Sequence, residues 1–176
     1  DGRTVLGVVY PREESDSRRR WCAAHAALDR HVRVPQLVAD DGEGNQIIED
    51  LGSEDLAARL AARPASREAG LRWAVEAAAA IAAIPDPGIN SPFDEAFFRR
   101  ELDLAREAVF DLYLASPLLA AEKRIHDDWA DALCREIAAH PSALCHRDFH
   151  GNNLFPCGER VATIDFQDMR RGPDSY

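Results

Sequence analysis

The chain has 176 residues, with 21 Lys+Arg against 31 Asp+Glu and a net charge of −10. That balance excludes a binder of nucleic-acid backbones, which needs a basic stripe to displace counterions. The 46% hydrophobic and 30% charged shares are those of a globular chain and not a disordered one.

Thr4 to Tyr10 is a β-rich run closed by Pro11 and predicts a strand. The spacing of Trp21, Ala24, Leu28 and His31 predicts a helix from Ser17 to about His31. Val34 to Ala39 reads as a short strand, Asp40 to Asn45 as a turn, and Gln46 to Glu49 as the second arm of a hairpin. Ser53 is the expected N-cap of the next helix. Ser66 to Ile84 follows as a long Ala-rich helix, with Trp73, Ala77, Ile81 and Ile84 on one side. After a Pro/Gly connector, Asp94 to Ala115 is expected to form one helix with Phe97, Leu104, Ala108 and Leu112 near one stripe. Ser116-Pro117 reads as N-cap and N1 of a last helix running to about His140. Ala143–Cys145 and Val161–Ile164 are expected strands, with loop between them. Trp21, Trp73 and Trp129 fall on helices, where core packing is the default. Arg18-Arg19-Arg20 reads as a solvated helix face.

No apolar run approaches the roughly 18–20 residues of a membrane span, so no membrane partner is expected. The chain opens at Asp1 without methionine, basic leader or cleavage site, which predicts a piece of a longer protein. Its four cysteines (Cys22, Cys134, Cys145, Cys157) form no C-x-x-C pair. In an acidic chain without a signal segment they are expected to be reduced thiols of a cytoplasmic protein.

The chemistry concentrates in Cys145-His146-Arg147-Asp148-Phe149-His150-Gly151-Asn152-Asn153-Leu154 and in Ile164-Asp165-Phe166-Gln167-Asp168. A loop carboxylate, Asp148, can orient a substrate hydroxyl and accept its proton. Asn153, five residues on, and Asp165, at the end of a β-branched run, offer the hard oxygen ligands that Mg²⁺ prefers. The kinase pattern H-R-D-x-x-x-x-N is met at His146, Arg147, Asp148 and Asn153, with Asp165-Phe166-Gln167 where D-F-G is usual. Zinc on His146, Asp148 and His150 is a weaker reading. It would leave Asn153 idle, and no third histidine or cysteine falls at a ligand interval.

His146, Asp148, His150 and Asn153 together spell H-x-D-x-H-x-x-N, and the chain thereby resembles the aminoglycoside phosphotransferase-like kinases. Ile164 to Asp168 and Gly172-Pro173-x-x-Tyr176 are most similar to the branch that phosphorylates the anomeric hydroxyl of N-acetylmuramate and N-acetylglucosamine. The resemblance implies an α+β, two-lobed protein-kinase-like fold, incomplete at both ends, with a mainly helical large lobe. Residues 1–51 would be part of the small nucleotide-binding lobe and hinge, and residues 52–176 part of the large lobe with the catalytic loop. It implies transfer of a phosphoryl group from ATP, with Mg²⁺, to a hydroxyl of a small-molecule substrate, here an amino sugar. Asp148 would be the catalytic base, and Asn153 and Asp165 metal ligands. His146 and His150 would support the loop, and Phe166 would pack beneath Asp165. Glu49, Asp50 and Leu51 are similar to the hinge that meets adenine through its backbone.

The chain departs from the family where a lysine should pair with the nucleotide phosphates. Gly7 stands near that place, and the one lysine is Lys123. The sugar-kinase branch often lacks this lysine, and Arg3 or Arg12 are the nearest substitutes. Two other readings stay open: a kinase of aminoglycosides or other small alcohols, and a pseudokinase-like nucleotide-binding protein. Retention of Asp148, Asn153 and Asp165 together weighs against the second.

Overall fold

A computed structural model of the protein describes residues 4–175, apart from the side chain of Arg12. Arg3, the Arg12 side chain and Tyr176 therefore lie outside the described residues. The chain divides into two compact units, one of Asp1–Asn90 with Leu144–Arg170, the other of Ser91–Ala143 with Arg171–Tyr176. No helix among the described residues is long and apolar enough to cross a membrane.

In the first unit the β-branched run forms strand β1 (Val5–Val9). A 3₁₀ turn (Arg12–Glu14) leads into helix α1 (Ser15–Leu28), and strands β2 (Leu37–Asp40) and β3 (Asn45–Glu49) follow. The order is β1-β3-β2, with Gly7 opposite Ile47 and Leu37 opposite Ile48. The expected hairpin is present. Its turn is tied by Asp41, whose Oδ1 accepts the N–H groups of Glu43, Gly44 and Asn45 at 2.8–3.0 Å. Gly44 is required there: its φ is +136°, and a Cβ would come within 2.7 Å of the Tyr10 carbonyl oxygen.

The arginine run on α1 is not uniformly solvated. Arg19 is exposed, but Arg18 is paired with Asp40 of β2, and both side chains are 18% exposed. Gln46 Nε2 also donates to Asp40, at 2.7 Å. The Gln46 amide, then the Gly42 N–H and the Arg18 guanidinium, hold the Asp40 carboxyl down to about 2.

Helices α2 (Leu56–Ala62) and α3 (Arg67–Ala82) come next. The N-cap of α2 is Asp55 and not Ser53. Asp55 has extended backbone, and its carboxylate accepts the Ala58 N–H at 2.7 Å. Strands β5 (Leu154–Cys157) and β6 (Arg160–Thr163) form an antiparallel hairpin. β5 was expected to be loop; its Pro156 and Cys157 give no alternating signal, and pairing with β6 makes the strand. Ile81 and Ile84 join Trp21, Leu28, Val34, Phe166 and Met169 in one core, and Trp73 and Ala77 pack partly against a second core of Leu56, Leu154 and Val161.

In the second unit Asp94 caps α4 (Glu95–Arg106), accepting the Phe97 N–H at 2.7 Å. The expected single helix stops being α-helical at Arg106. Glu107–Tyr113 is π-helical, with the Leu114 N–H reaching back to Val109, and Ala115 ends it with φ +48°. Leu104, Ala108 and Leu112 are exposed, so the expected stripe is covered only at Phe97, which is half-buried with its ring 4.6 Å from Phe93. Helix α5 (Ala120–Ala138) begins after Leu119, whose N–H is taken by Glu122, and not at Ser116-Pro117. Trp129 on α5 is 55% exposed, against the expectation of core packing. Strands β4 (Ser142–Cys145) and β7 (Arg170–Pro173) complete the chain; β7, rich in charge and closed by Pro173, carries no strand signal in its sequence.

Candidate active site

The β5–β6 hairpin places the polar residues. Leu154 faces Thr163 in register, and one step beyond the paired strands the Ile164 N–H donates to the Asn153 carbonyl at 3.0 Å. Asn153 and Asp165 thus emerge from the same end of the hairpin. Asp165 has φ +61° and is exposed, and its Oδ1 accepts Gln167 Nε2 at 2.6 Å. A non-glycine residue in this conformation costs of order 1 kcal/mol and persists where its surroundings impose it.

Those surroundings are named residues. Phe166 is fully buried, its ring 5.5 Å from Trp21 and 6.3 Å from His25 on α1. Burial of such a side chain contributes roughly 1.5–3 kcal/mol. Asn90 donates its amide to the carbonyls of Gln167 (3.0 Å) and Met169 (2.9 Å). Asp168 faces Arg20 and Arg147, each at 3.9 Å.

The loop from His146 to Asn153 is equally fixed. Asn153 Nδ2 donates to the Asp148 carbonyl at 3.0 Å, and the His150 N–H reaches the same oxygen at 3.1 Å. The Asn153 amide nitrogen is therefore engaged, and its Oδ1 is the atom left to act as an oxygen donor. Asn152 donates to Asp55, the cap of α2, at 3.1 Å. Gly151 lies so close to α2 that a Cβ would stand 3.0 Å from Ala57 Cβ and 3.1 Å from its backbone nitrogen. Asp148 and His150 are exposed. His146 is buried, with Nε2 2.8 Å from Thr163 Oγ1, and burial pushes its imidazole below the ordinary 6.5. This contact ties the start of the loop to β6.

The phosphotransferase enzyme family matches residues 1–176. The chain belongs to this family. Among its relatives, the N-acetylmuramate/N-acetylglucosamine kinase of Pseudomonas aeruginosa is 29% identical over 99% of this chain and 51% of its own length. The protein of the same name from Neisseria meningitidis is 29% identical over 100% and 53%. The chain thus spans about half the length of these relatives. Of solved structures, ADP-bound aminoglycoside phosphotransferase APH(2'')-Ib is similar with TM-score 0.69 at 15% identity, over 96% of this chain and 61% of that one. APH(4)-Ia in complex with AMP-PNP and hygromycin B is similar with TM-score 0.56 at 16% identity, over 97% and 61%. The expected α+β kinase-like fold is the fold observed, and the expected family resemblance holds.

Gly7 occupies β1, where an added Cβ meets nothing within 4 Å, so packing does not forbid a larger residue there. At the expected hinge the side chains serve structure. Glu49 is paired with Arg33 and accepts the Gln36 N–H at 3.0 Å, while Asp50 accepts the Gly52 N–H at 2.8 Å and Leu51 is half-buried.

Sequence reading missed Asn90, Asp55 and Thr163. Asn90 lies in a Pro/Gly connector 77 residues before its partner, and only the folded chain pairs them. Asp55 had a local signal, since Asp is as good a cap as Ser.

A second polar cluster lies in the other unit. Asp103, His126 and Asp127 have ligand atoms within 4.8 Å of one another. Their cation is already in place: the Arg99 guanidinium meets Asp103 at 3.2 Å, Asp127 at 2.5 Å and also Asp131. Its charge is strongly favoured by these partners, the Asp103 hydrogen bond first.

Proposed function

We propose that this chain carries the catalytic loop and part of the nucleotide cradle of a cytoplasmic kinase. That kinase transfers the ATP γ-phosphoryl group to the anomeric hydroxyl of an amino sugar, N-acetylmuramate or N-acetylglucosamine. Residues 1–51 are assigned to the nucleotide-binding lobe and hinge, and residues 52–176 to the large lobe. The observation that supports this most is the Ile164–Asn153 backbone bond. It sets an amide oxygen and the Asp165 carboxylate at one hairpin end, beside the loop bearing Asp148.

In this reading Asp148 orients the acceptor hydroxyl and takes its proton as the phosphoryl group leaves ATP. Asn153 Oδ1 and the Asp165 carboxylate are hard oxygen donors and fit Mg²⁺, which they would hold. Mg²⁺, when bound, neutralises negative charge on the nucleotide phosphates. His146 and His150 hold the loop, and the backbone of Glu49, Asp50 and Leu51 meets adenine. The amino-sugar acceptor rests on the names of the relatives and on the Gly172-Pro173 stretch. The net charge of −10 would suit a polycationic aminoglycoside, but net charge governs encounter more than the chemistry of a pocket.

The test is an ATP-dependent assay of the full-length gene product against both sugars, choline and kanamycin. The expected product is an acid-labile sugar 1-phosphate, with phosphorus coupling to the anomeric proton in NMR. Efficient phosphorylation of kanamycin with neither sugar reacting would replace this reading with the aminoglycoside one.

A further inference from the structure

The first unit contains a cavity of about 400 Å³ lined by the segment after α1, by α3 and by β6, and by none of the residues assigned to phosphoryl transfer. Three arginines line it: Arg30, Arg33 and Arg160. Arg33 is committed to Glu49. Arg30 and Arg160 have no carboxylate oxygen within 4.0 Å among the described residues. Two acids, Asp29 and Glu76, also line the cavity, so with Arg33 neutralised by Glu49 the wall is balanced in charge, and Arg30 and Arg160 are its sites for an anion. Trp73 supplies an aromatic wall. It is half-buried against the Leu56–Leu154–Val161 core, yet it lines this cavity and, with Glu76, a second recess of about 360 Å³.

These features select a ligand class. The volume lies in the range of small organic ligands and far exceeds that of a bare inorganic anion. Guanidinium groups favour carboxylate or phosphate oxygens, with planar two-point geometry. An indole ring open to a cavity favours a flat partner at stacking distance. We propose that this cavity is an accessory binding site for a small organic anion with a flat ring, the anion held by Arg30 and Arg160 and the ring by Trp73. The proposal stands on the cavity alone and does not depend on the phosphotransfer reading.

The chain's three tryptophans make the test local. Phenyl phosphate is titrated into the ¹⁵N-labelled full chain while the indole N–H resonances are followed. Trp73 is expected to shift saturably. Trp21, in the core beside Phe166, and Trp129, on α5, are expected to stay in place. Inorganic phosphate and phenol, each carrying half of the ligand, are expected to bind at least about tenfold more weakly. The double variant Arg30→Gln/Arg160→Gln is expected to lose about tenfold in phenyl phosphate affinity with an unchanged unfolding transition, since both side chains are exposed. Trp73→Leu tests the ring, and Trp73→Phe is expected to restore most of the affinity. No saturable shift at Trp73, an equal shift at Trp21, or a double variant that binds like the parent would each overturn the proposal.

Discussion

The stretch from His146 to Met169 and the α4–α5 pair are both rich in charge, but they are held in opposite ways. In the first, exposed Asp148, His150 and Asp165 sit on a scaffold whose other members are buried: His146, Ala162, Thr163, Phe166 and Met169. Its polar contacts run from side chains to distant backbone, as from Asn90 to Gln167 and Met169. In the second, one arginine collects three aspartates, and Leu112, Ile125 and Trp129 stay exposed. An arrangement that positions atoms for chemistry is over-determined by many dissimilar contacts. One that only joins two helices manages with a charged hub.

The comparison is sharpened most by Asp148→Asn. The loop keeps its shape, because its bonds use the Asp148 carbonyl and not the carboxylate. General-base assistance is worth roughly 10²–10⁴-fold, so kcat of the full-length enzyme should fall by about that factor with nucleotide affinity retained. Near-normal turnover would remove Asp148 from the mechanism. Asp165→Ala and Asn153→Ala should each weaken Mg²⁺-dependent nucleotide binding in calorimetry, Asp165→Ala more because it removes formal charge. Equal affinity in magnesium and in EDTA, for parent and variants alike, would refute the ligand assignment.

Smaller effects probe the scaffold. Gly151→Ala forces a methyl against the α2 backbone and should cost about 1–3 kcal/mol in denaturant unfolding. A variant as stable as the parent would show that the loop is not pressed on α2. Arg99→Ala leaves three carboxylates without their cation. Because the pairs are partly exposed, the loss should be about 1 kcal/mol, it should shrink in high salt, and it should not alter nucleotide affinity.

The smallest effect is in pH. His146 takes its proton at lower pH folded than unfolded. The unfolded chain therefore binds more protons once pH drops below about 6.5, and the stability this histidine provides, complete above that pH, declines as pH falls. His146→Gln should flatten the stability profile between pH 7 and 5; an unchanged slope would show that His146 is not held neutral.

The proposed site residues stood out in the sequence by their spacing, and the structure puts Asn153 and Asp165 at one end of the β5–β6 hairpin, with Asp148 in the loop before it. Strand β1 and the hairpin of β2 and β3 were legible from β-branched runs and the Asp41–Gly44 turn. The failures share a different cause. Ser53 lost the cap to Asp55, two residues on, because both are good caps and only the contact with Asn152 distinguishes them. Leu104 and Leu112 fell on the expected stripe, but the chain leaves α-helical geometry at Glu107, which breaks the periodicity that placed them together. β5 needed a partner strand, and pairing is not written in a single segment.

The turn of the β5–β6 hairpin has a consequence of its own. Gly158 and Glu159 alone join the two strands, with Gly158 at φ +64° and Cys157 opposite Arg160. The hairpin therefore works as a caliper: its length at the tip sets which atoms meet at the open jaws, where Asn153 and Ile164 are bonded. One residue added at Gly158 would slide one arm past the other and turn its side chains to the opposite face. The tip thus fixes the gauge of the Asn153–Asp165 pair proposed to face the metal, and length there is under tighter constraint than identity.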